Sequence, residues 1–352
     1  MYGHEELRSR LTTTMRAGRL PPTLVLEGPA GVGKQRLALW IAQGLVCERG
    51  PGTPCDACHP CKLALQLSHP DIHWFFPIAR PKGDEAKQVE EAEESLATAI
   101  AARRESPLYR PPEGLTGLYL PLVRALHRRA QMRPAMGNVK AFVVGEADRL
   151  VPQASSPEAA NAMLKVLEEP PPDTFFVLTT AEPAALLPTI RSRLVHLRAG
   201  RLSPADIARF LREVPDPPLG EAEAGRRAEL AGGSIGAALA AGAPAASRAL
   251  ADGLLAAAAS GSAARWRYAL GIKPFGARAA FTDTLDLAAE TLRDELAAQL
   301  RVGGTGGAGD EPASRLLAQV RELERARQLA QGNVNPQLVV AGLLRRLAEA
   351  RG

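Results

Sequence analysis

The stretch Gly28-Pro29-Ala30-Gly31-Val32-Gly33-Lys34-Gln35 constrains this chain more than any other. It follows the phosphate-loop pattern G-x-x-x-x-G-K-[S/T] up to the lysine and then ends in glutamine. Backbone N–H groups of such a loop cradle phosphates, and Lys34 would reach the β- and γ-phosphates. The hydroxyl that should hold Mg²⁺ is missing at Gln35. The setting is right for the motif. Thr23-Leu24-Val25-Leu26-Glu27-Gly28 reads as a buried parallel strand. After the loop, Leu37, Leu39, Trp40, Ile41 and Leu45 are spaced as in a largely buried helix whose N-terminus faces the phosphate site.

More buried strands follow at Ile72-His73-Trp74-Phe75-Phe76, Lys140-Ala141-Phe142-Val143-Val144-Gly145 and Thr174-Phe175-Phe176-Val177-Leu178-Thr179-Thr180, with a shorter one at Val195-His196-Leu197. Helical stretches separate them, notably residues 159–169, which Pro170-Pro171-Pro172 brings to a stop. Alternating strands and helices behind a phosphate loop predict a doubly wound parallel sheet with its ligand at the carboxyl ends of the strands. The strand over 140–145 should supply the rest of a nucleotide site: an Asp that orders Mg²⁺, then a Glu that polarises the attacking water. Here the Asp position is Gly145, while Glu146 keeps the position of the base. Asp148 lies past the strand end and is expected to point elsewhere. Two departures, Gln35 and Gly145, therefore fall on one metal.

All four cysteines lie in one window, Cys47, Cys55, Cys58 and Cys61, spaced C-x₇-C-x₂-C-x₂-C. Close C-x₂-C pairs let thiolates converge on one tetrahedral Zn²⁺, and four sulfurs leave no open position, so the zinc would be structural. Such an ion would replace a hydrophobic core for the loop Arg49-Gly50-Pro51-Gly52-Thr53-Pro54, which has almost nothing to bury. His59 ranks below the cysteines as a ligand. Disulfides would need an oxidising compartment, and no export signal is evident around Glu5, Glu6 and Arg8, so a cytoplasmic location is expected.

At 352 residues the chain has room for two or three domains. No apolar run approaches the roughly 20 residues of a membrane span. A net charge of +5 permits contact with nucleic acid without indicating it. Residues 77–136 form a long stretch between the second and third strands. It contains an acidic block at 84–102 and a basic amphipathic helix at Leu122-Val123-Arg124-Ala125-Leu126-His127-Arg128-Arg129, and is expected to be a surface insertion with one or two solvated helices. Ser203 as N-cap and Pro204 at the first helical position open a helical segment to about residue 241. Gly242-Ala243-Pro244 reads as a linker, and the rest is helical apart from a glycine loop at 303–309.

Asn161-Ala162-Met163-Leu164-Lys165-Val166-Leu167-Glu168-Glu169-Pro170-Pro171, then Leu187-Pro188-Thr189-Ile190-Arg191-Ser192-Arg193, resembles the clamp-loader branch of the AAA+ proteins. The zinc-module cysteines and His69-Pro70-Asp71 strengthen the likeness, which covers roughly residues 1–240. Within the branch the chain is similar to delta-prime-type subunits of bacterial DNA polymerase III; the alternative is the ATP-hydrolysing gamma/tau motor type. Against the motor type stand Gln35, Gly145 and Gly236, the last occupying the place where motor subunits carry a sensor arginine.

The resemblance implies an α/β fold: a P-loop AAA+ doubly wound parallel sheet over residues 1–200, with an inserted zinc module at 47–69. It implies a small helical lid at 201–241 and an all-helical collar or oligomerisation domain at 245–352. It implies that Arg193, within Ser192-Arg193-Leu194, is an arginine finger offered in trans to a neighbour's ATP. The chain's own site, with Gly28, Gly31, Gly33, Lys34 and Gln35 on the loop and Gly145 and Glu146 on the strand, would be degraded, leaving room for weak ATP or ADP binding without hydrolysis. The implied partners are gamma/tau motor subunits, a delta subunit, the sliding clamp and primer–template DNA reached through the assembly. The activity implied is that of a polymerase III holoenzyme subunit with no independent catalysis. Two other classes fit parts of the sequence: an active ATPase or small-molecule kinase with a zinc-stabilised lid, and a sequence-reading zinc module. The glycine- and proline-rich zinc window offers no recognition helix for the second.

Overall fold

The structure, a computed structural model, describes residues 1–82, 84–105, 116–150, 158–240, 245–272, 284–289, 291–293, 295–296, 299, 311–331 and 335–351. It divides into two compact units, one through residues 1–110 and 116–241 and the other over 242–352. The expected linker at Gly242-Ala243-Pro244 and the glycine loop at 303–309 lie outside the described residues.

The first unit is built on five parallel strands: β1 (Thr23–Glu27), β2 (Ile72–Phe75), β5 (Lys140–Val144), β6 (Thr174–Thr180) and β7 (Val195–Arg198), in the order β2-β5-β6-β1-β7. The doubly wound parallel sheet expected from the sequence is present, with β1 inside it. Side chains alternate between two buried faces along the central strands β1, β5 and β6, whereas β7, expected to be buried, is an edge strand and largely exposed. Leu24, Leu26, Ala141, Val143 and Val177 meet α1 (Glu5–Arg16) and α2 (Lys34–Leu45) on one face. On the other face, Val25, Phe142, Val144, Phe176 and Leu178 share a core with α4 (Glu85–Glu105), α5 (Leu120–Gln131) and α6 (Glu158–Glu168). Phe142 stacks on Phe176 at 5.0 Å between ring centroids, at the middle of this layer.

The expectation of a surface insertion at 77–136 is overturned. Ala92 and Leu96 of α4 and Leu122, Val123, Ala125, Leu126 and Ala130 of α5 are all buried in the main core. These helices carry the crossover from β2 to β5, which in a parallel sheet must return over one face. A short antiparallel pair, β3 (Ile78–Ala79) and β4 (Thr116–Gly117), joins the chain before α4 to the chain before α5.

Between α2 and β2 lies a short helix, α3 (His59–Leu65), within the cysteine window. A one-turn helix, α7 (Pro188–Arg191), precedes β7. Three further helices complete the unit: α8 (Pro204–Glu213), α9 (Glu221–Leu230) and α10 (Ile235–Ala240) close on Leu202, Ile207, Leu211, Ala224 and Ala238. Ser203 caps α8 as expected, its hydroxyl accepting the Asp206 N–H at 3.1 Å. In the second unit, α11 (Ala245–Ala259), α12 (Ser262–Gly271), α13 (Glu311–Gln331) and α14 (Pro336–Glu349) bury Leu254, Leu323, Val340, Leu343, Leu344 and Leu347, joined by Leu285 and Leu292. No helix of the described residues is long and apolar enough to cross a membrane.

Candidate functional site

The phosphate loop runs from the end of β1 into α2, with Gly31 at φ 74° and Gly33 at φ 91°. Lys34 is buried, and its ammonium donates to the carbonyls of Gly28 at 2.9 Å and Pro29 at 2.7 Å. The lysine is thus satisfied within its own loop. Burial pulls its pKa down to about 8, opposed by the charges of Asp148 and, less strongly, Glu146. Asp148 engages β6, its carboxylate accepting the Thr180 hydroxyl at 2.6 Å. Glu146 sits at φ 50°, with its N–H on Thr179 Oγ1 at 3.2 Å and its carboxylate paired with Arg149 Nε at 3.0 Å.

The two departures on the metal side meet in space. A Cβ built on Gly145 would lie 2.5 Å from Gln35 Oε1 and 2.6 Å from its Cδ. The Gln35 carboxamide thus fills the volume that a side chain at 145 would take. It is held there by Trp74 Nε1, which donates to Gln35 Oε1 at 3.1 Å. Behind Trp74, the Arg103 guanidinium of α4 lies 4.1 Å from its ring centroid and 3.4 Å from that of Phe76. Sequence reasoning missed Trp74 and Arg103 because both fall outside any nucleotide motif.

The segment before α10 closes on the loop from the other side. Ser234 Oγ donates to Ala30 O at 3.0 Å, and the Gly236 N–H donates to Gly31 O at 3.2 Å. A Cβ on Gly31 would fall 2.2 Å from Ser234 Oγ and 3.1 Å from Gly236 Cα, so this approach needs glycine. His4, just before α1, adds a ring-nitrogen hydrogen bond to Val32 O at 2.8 Å.

Arg193 lies between α7 and β7, away from its own loop in sequence. Its Nη1 donates to Thr189 O at 2.7 Å and its Nη2 pairs with Glu168 Oε1 at 2.5 Å; about a third of the side chain is exposed. Nearby, His196 joins this segment to the strand leading into the loop. Its Nδ1 meets Glu27 Oε1 at 2.5 Å and its Nε2 meets Arg191 O at 2.9 Å, and these two acceptors, the carbonyl first, raise its pKa.

The four cysteine sulfurs lie within 4.8 Å of one another. Zn–S bonds of about 2.3 Å put tetrahedral sulfurs about 3.8 Å apart, and Cys55 and Cys61 stand 3.9 Å apart. Four thiols converging with no competing ligand could hold a metal ion such as zinc. The Cys58 N–H donates to Cys55 Sγ at 3.3 Å, and together with the Ala57 N–H holds that thiol down to about 6. Burial and the neighbouring thiols push Cys61 up to about 12. Gln43 of α2 anchors the window, its amide donating to Asp56 Oδ1 at 2.8 Å and Cys61 O at 3.2 Å.

His69-Pro70-Asp71 is a packing device. The buried Asp71 carboxylate accepts the backbone N–H groups of Ala135, Met136 and Gly137 at 2.6, 2.8 and 3.3 Å. His69 Nδ1 accepts the N–H of Asp71 itself at 3.0 Å.

A family model described as DNA polymerase III, delta subunit, matches residues 3–202. The chain belongs to that family. It is 28% identical over 197 residues to the DNA polymerase III subunit delta-prime of Bacillus subtilis, covering 56% of this chain and 47% of the relative. It is also 27% identical over 215 residues to the gamma/tau subunit of Mycobacterium bovis, covering 61% of this chain and 30% of that protein. The chain thus spans less than half the length of these relatives. A gamma subunit-related protein from Thermotoga maritima aligns over 97% of this chain and 99% of its own at 15% identity, with a TM-score of 0.38. Clamp-loader subunits of DNA polymerase III are therefore the relatives of this chain, and they include both delta-prime and gamma/tau types.

Proposed function

We propose that this chain is a delta-prime-type, non-hydrolysing stator of a bacterial clamp loader, helping to place the sliding clamp on primed DNA. The observation that carries the reading is the Gln35 carboxamide lying where a metal-ordering side chain at 145 would start. Without the loop hydroxyl and the strand carboxylate, Mg²⁺ would lack the two protein contacts that such a site supplies, and phosphoryl transfer depends on that ion. Gly28, Gly31, Gly33 and Lys34 still allow a weak nucleotide contact, provided Lys34 leaves its own carbonyls.

Arg193 then carries the useful chemistry, as an arginine finger offered in trans to the ATP of a neighbouring gamma/tau-type subunit. Its planar fork suits phosphate oxygens as lysine does not. On this reading residues 1–200 are the AAA+ domain, 201–241 its lid and 245–352 the collar that contacts other subunits, including a delta-type one. Zn²⁺ at Cys47, Cys55, Cys58 and Cys61 is structural, and the site of action is the cytoplasm.

The gamma/tau reading is favoured by a match as extensive as that to delta-prime, and by the retained Lys34. ATP turnover separates the two. The isolated chain should hydrolyse ATP at background rate with or without Mg²⁺. A complex reconstituted with its motor and delta-type subunits should lose DNA-stimulated hydrolysis on Arg193→Ala but not on Lys34→Ala. Turnover by the isolated chain, or collapse on Lys34→Ala, would overturn the stator in favour of a motor.

A further inference from the structure

The backbone around Arg193 is fixed on both sides. Its N–H donates to Ile190 O at 3.1 Å, its carbonyl accepts the Thr23 hydroxyl at 2.9 Å, and the next residue, Leu194, is buried in the core. Thr23 opens the strand that leads into the phosphate loop, so the Arg193 Cα is set by the sheet itself.

The side chain is held by three acceptors. Nη1 reaches Thr189 O at 2.7 Å and Ser192 Oγ at 3.4 Å, and Nη2 reaches Glu168 Oε1 at 2.5 Å. A guanidinium has five N–H donors; both hydrogen bonds come from Nη1, so Nε and Nη2 have no partner among the described residues beyond the Glu168 ion pair. Glu168 is the last residue of α6, a place where the helix dipole disfavours a carboxylate. Among the described residues, Arg193 is its one ion-pair partner. The carboxylate is nearly half exposed, and a solvated pair of this kind adds little to stability. Its geometric effect is larger: it removes rotamer freedom from a long side chain that must meet a ligand from another chain.

We infer that Glu168 is a positioning residue for Arg193, orienting the guanidinium so that its remaining donors, on Nε and Nη2, are presented at the surface toward an incoming phosphate. This rests on the reading of Arg193 as the trans-acting arginine. Thr189 O and Ser192 Oγ hold the Nη1 end of the fork, and the Glu168 carboxylate draws the Nη2 end, so both ends are constrained. The same carboxylate reduces the net positive charge that a neighbour's bound ATP meets before reaction. Removing it should therefore cost the transition state, which needs the correct plane, without weakening ground-state binding.

The test uses the complex reconstituted with motor and delta-type subunits, with ATP and primed DNA as probes. Steady-state hydrolysis is measured for wild type, Glu168→Gln, Arg193→Ala and the double variant. Glu168→Gln should lower kcat about tenfold with KM for ATP unchanged or reduced. The double variant should match Arg193→Ala alone, and the isolated Glu168→Gln chain should melt within a degree or two of wild type. If Arg193→Ala lowers kcat but Glu168→Gln leaves it unchanged, the positioning role is wrong and the finger stands. The positioning role fails equally if Glu168→Gln still lowers kcat in the Arg193→Ala background, or if it raises KM alone. If Arg193→Ala itself changes nothing, the finger is wrong and the role of Glu168 falls with it.

Discussion

Replacing Gly145 with alanine asks directly whether the carboxamide of Gln35 owns the space beside it. The added methyl would lie 2.5 Å from Oε1, 2.6 Å from Cδ and 2.9 Å from Nε2 of Gln35, so the glutamine must swing away. Swinging breaks its bond with Trp74 Nε1 and leaves that half-buried donor without Gln35, at about 1 kcal/mol. Crowding in the buried strand end adds roughly 1 kcal/mol or more. Against this, Gly145 has no positive φ, so alanine there relieves unfolded-chain entropy by about 0.4–1 kcal/mol. The net expectation is a loss of about 1–2 kcal/mol in the wild-type background. With Gln35 already cut to alanine, the clash and the hydrogen bond are both gone, and Gly145→Ala should stabilise by a few tenths of a kcal/mol or more. The sign inverts between backgrounds, for a coupling of about 2 kcal/mol, several times the additivity error of distant sites. Urea unfolding of the four proteins of this cycle, followed by tryptophan fluorescence and by circular dichroism, measures it. Equal effects of Gly145→Ala in both backgrounds would refute the placement of the carboxamide and the account of why the two departures occur together.

Three other outcomes follow from the same geometry. Stripping metal with a chelator, or changing Cys58 to serine, should release one zinc per chain in a colorimetric assay and lower the melting temperature, because the window around Cys55 has sulfur convergence in place of a core. Asp71→Ala should cost about 3 kcal/mol or more by urea unfolding, since three backbone N–H groups lose a buried carboxylate at once. Lys34, with its folded pKa lowered to about 8 from an unfolded value of 10.5, binds fewer protons folded than unfolded between those limits. Stability relative to a Lys34→Met variant should therefore rise, by about 1–2 kcal/mol between pH 7.5 and 9.5, and a fall over that window would contradict the burial of its charge.

Much of this was legible because it is local. The phosphate loop, the four cysteines and the cap at Ser203 are written in consecutive residues, and the sheet strands in short apolar runs. What was misread is instructive. The inward stripe of α4 runs through Val89, Ala92, Leu96, Ala99 and Ile100 at helical spacing, yet alanine and four glutamates in the same stretch disguise it as a solvated helix. Asp71 was legible as part of a motif but not as an N–H cradle, because its three donors arrive from beyond residue 130. The packing of Gln35 against Gly145 joins residues far apart in the chain. Single positions in the sequence showed two losses, and only their juxtaposition shows that one side chain fills both.

Gly236 follows the same logic on the opposite side of the loop. On the stator reading, a sensor arginine is absent there, and the structure supplies a positive reason for glycine. The N–H of Gly236 reaches Gly31 O at 3.2 Å, and a Cβ at 236 would come within 3.1 Å of Gly31 Cα. Together with the Ser234 hydroxyl on Ala30 O, this pins the start of α10 to the loop by direct hydrogen bonds. In a motor subunit, nucleotide must bridge those parts if its binding is to move one against the other, because a ligand shifts an equilibrium only through its differential contacts with the two states. Lys34, Gln35 and Gly236 each contact protein here: Gly28 O and Pro29 O, Trp74 Nε1, and Gly31 O. On the stator reading, helices already joined to the loop leave nucleotide little to change, the property that a fixed end of an assembly would need.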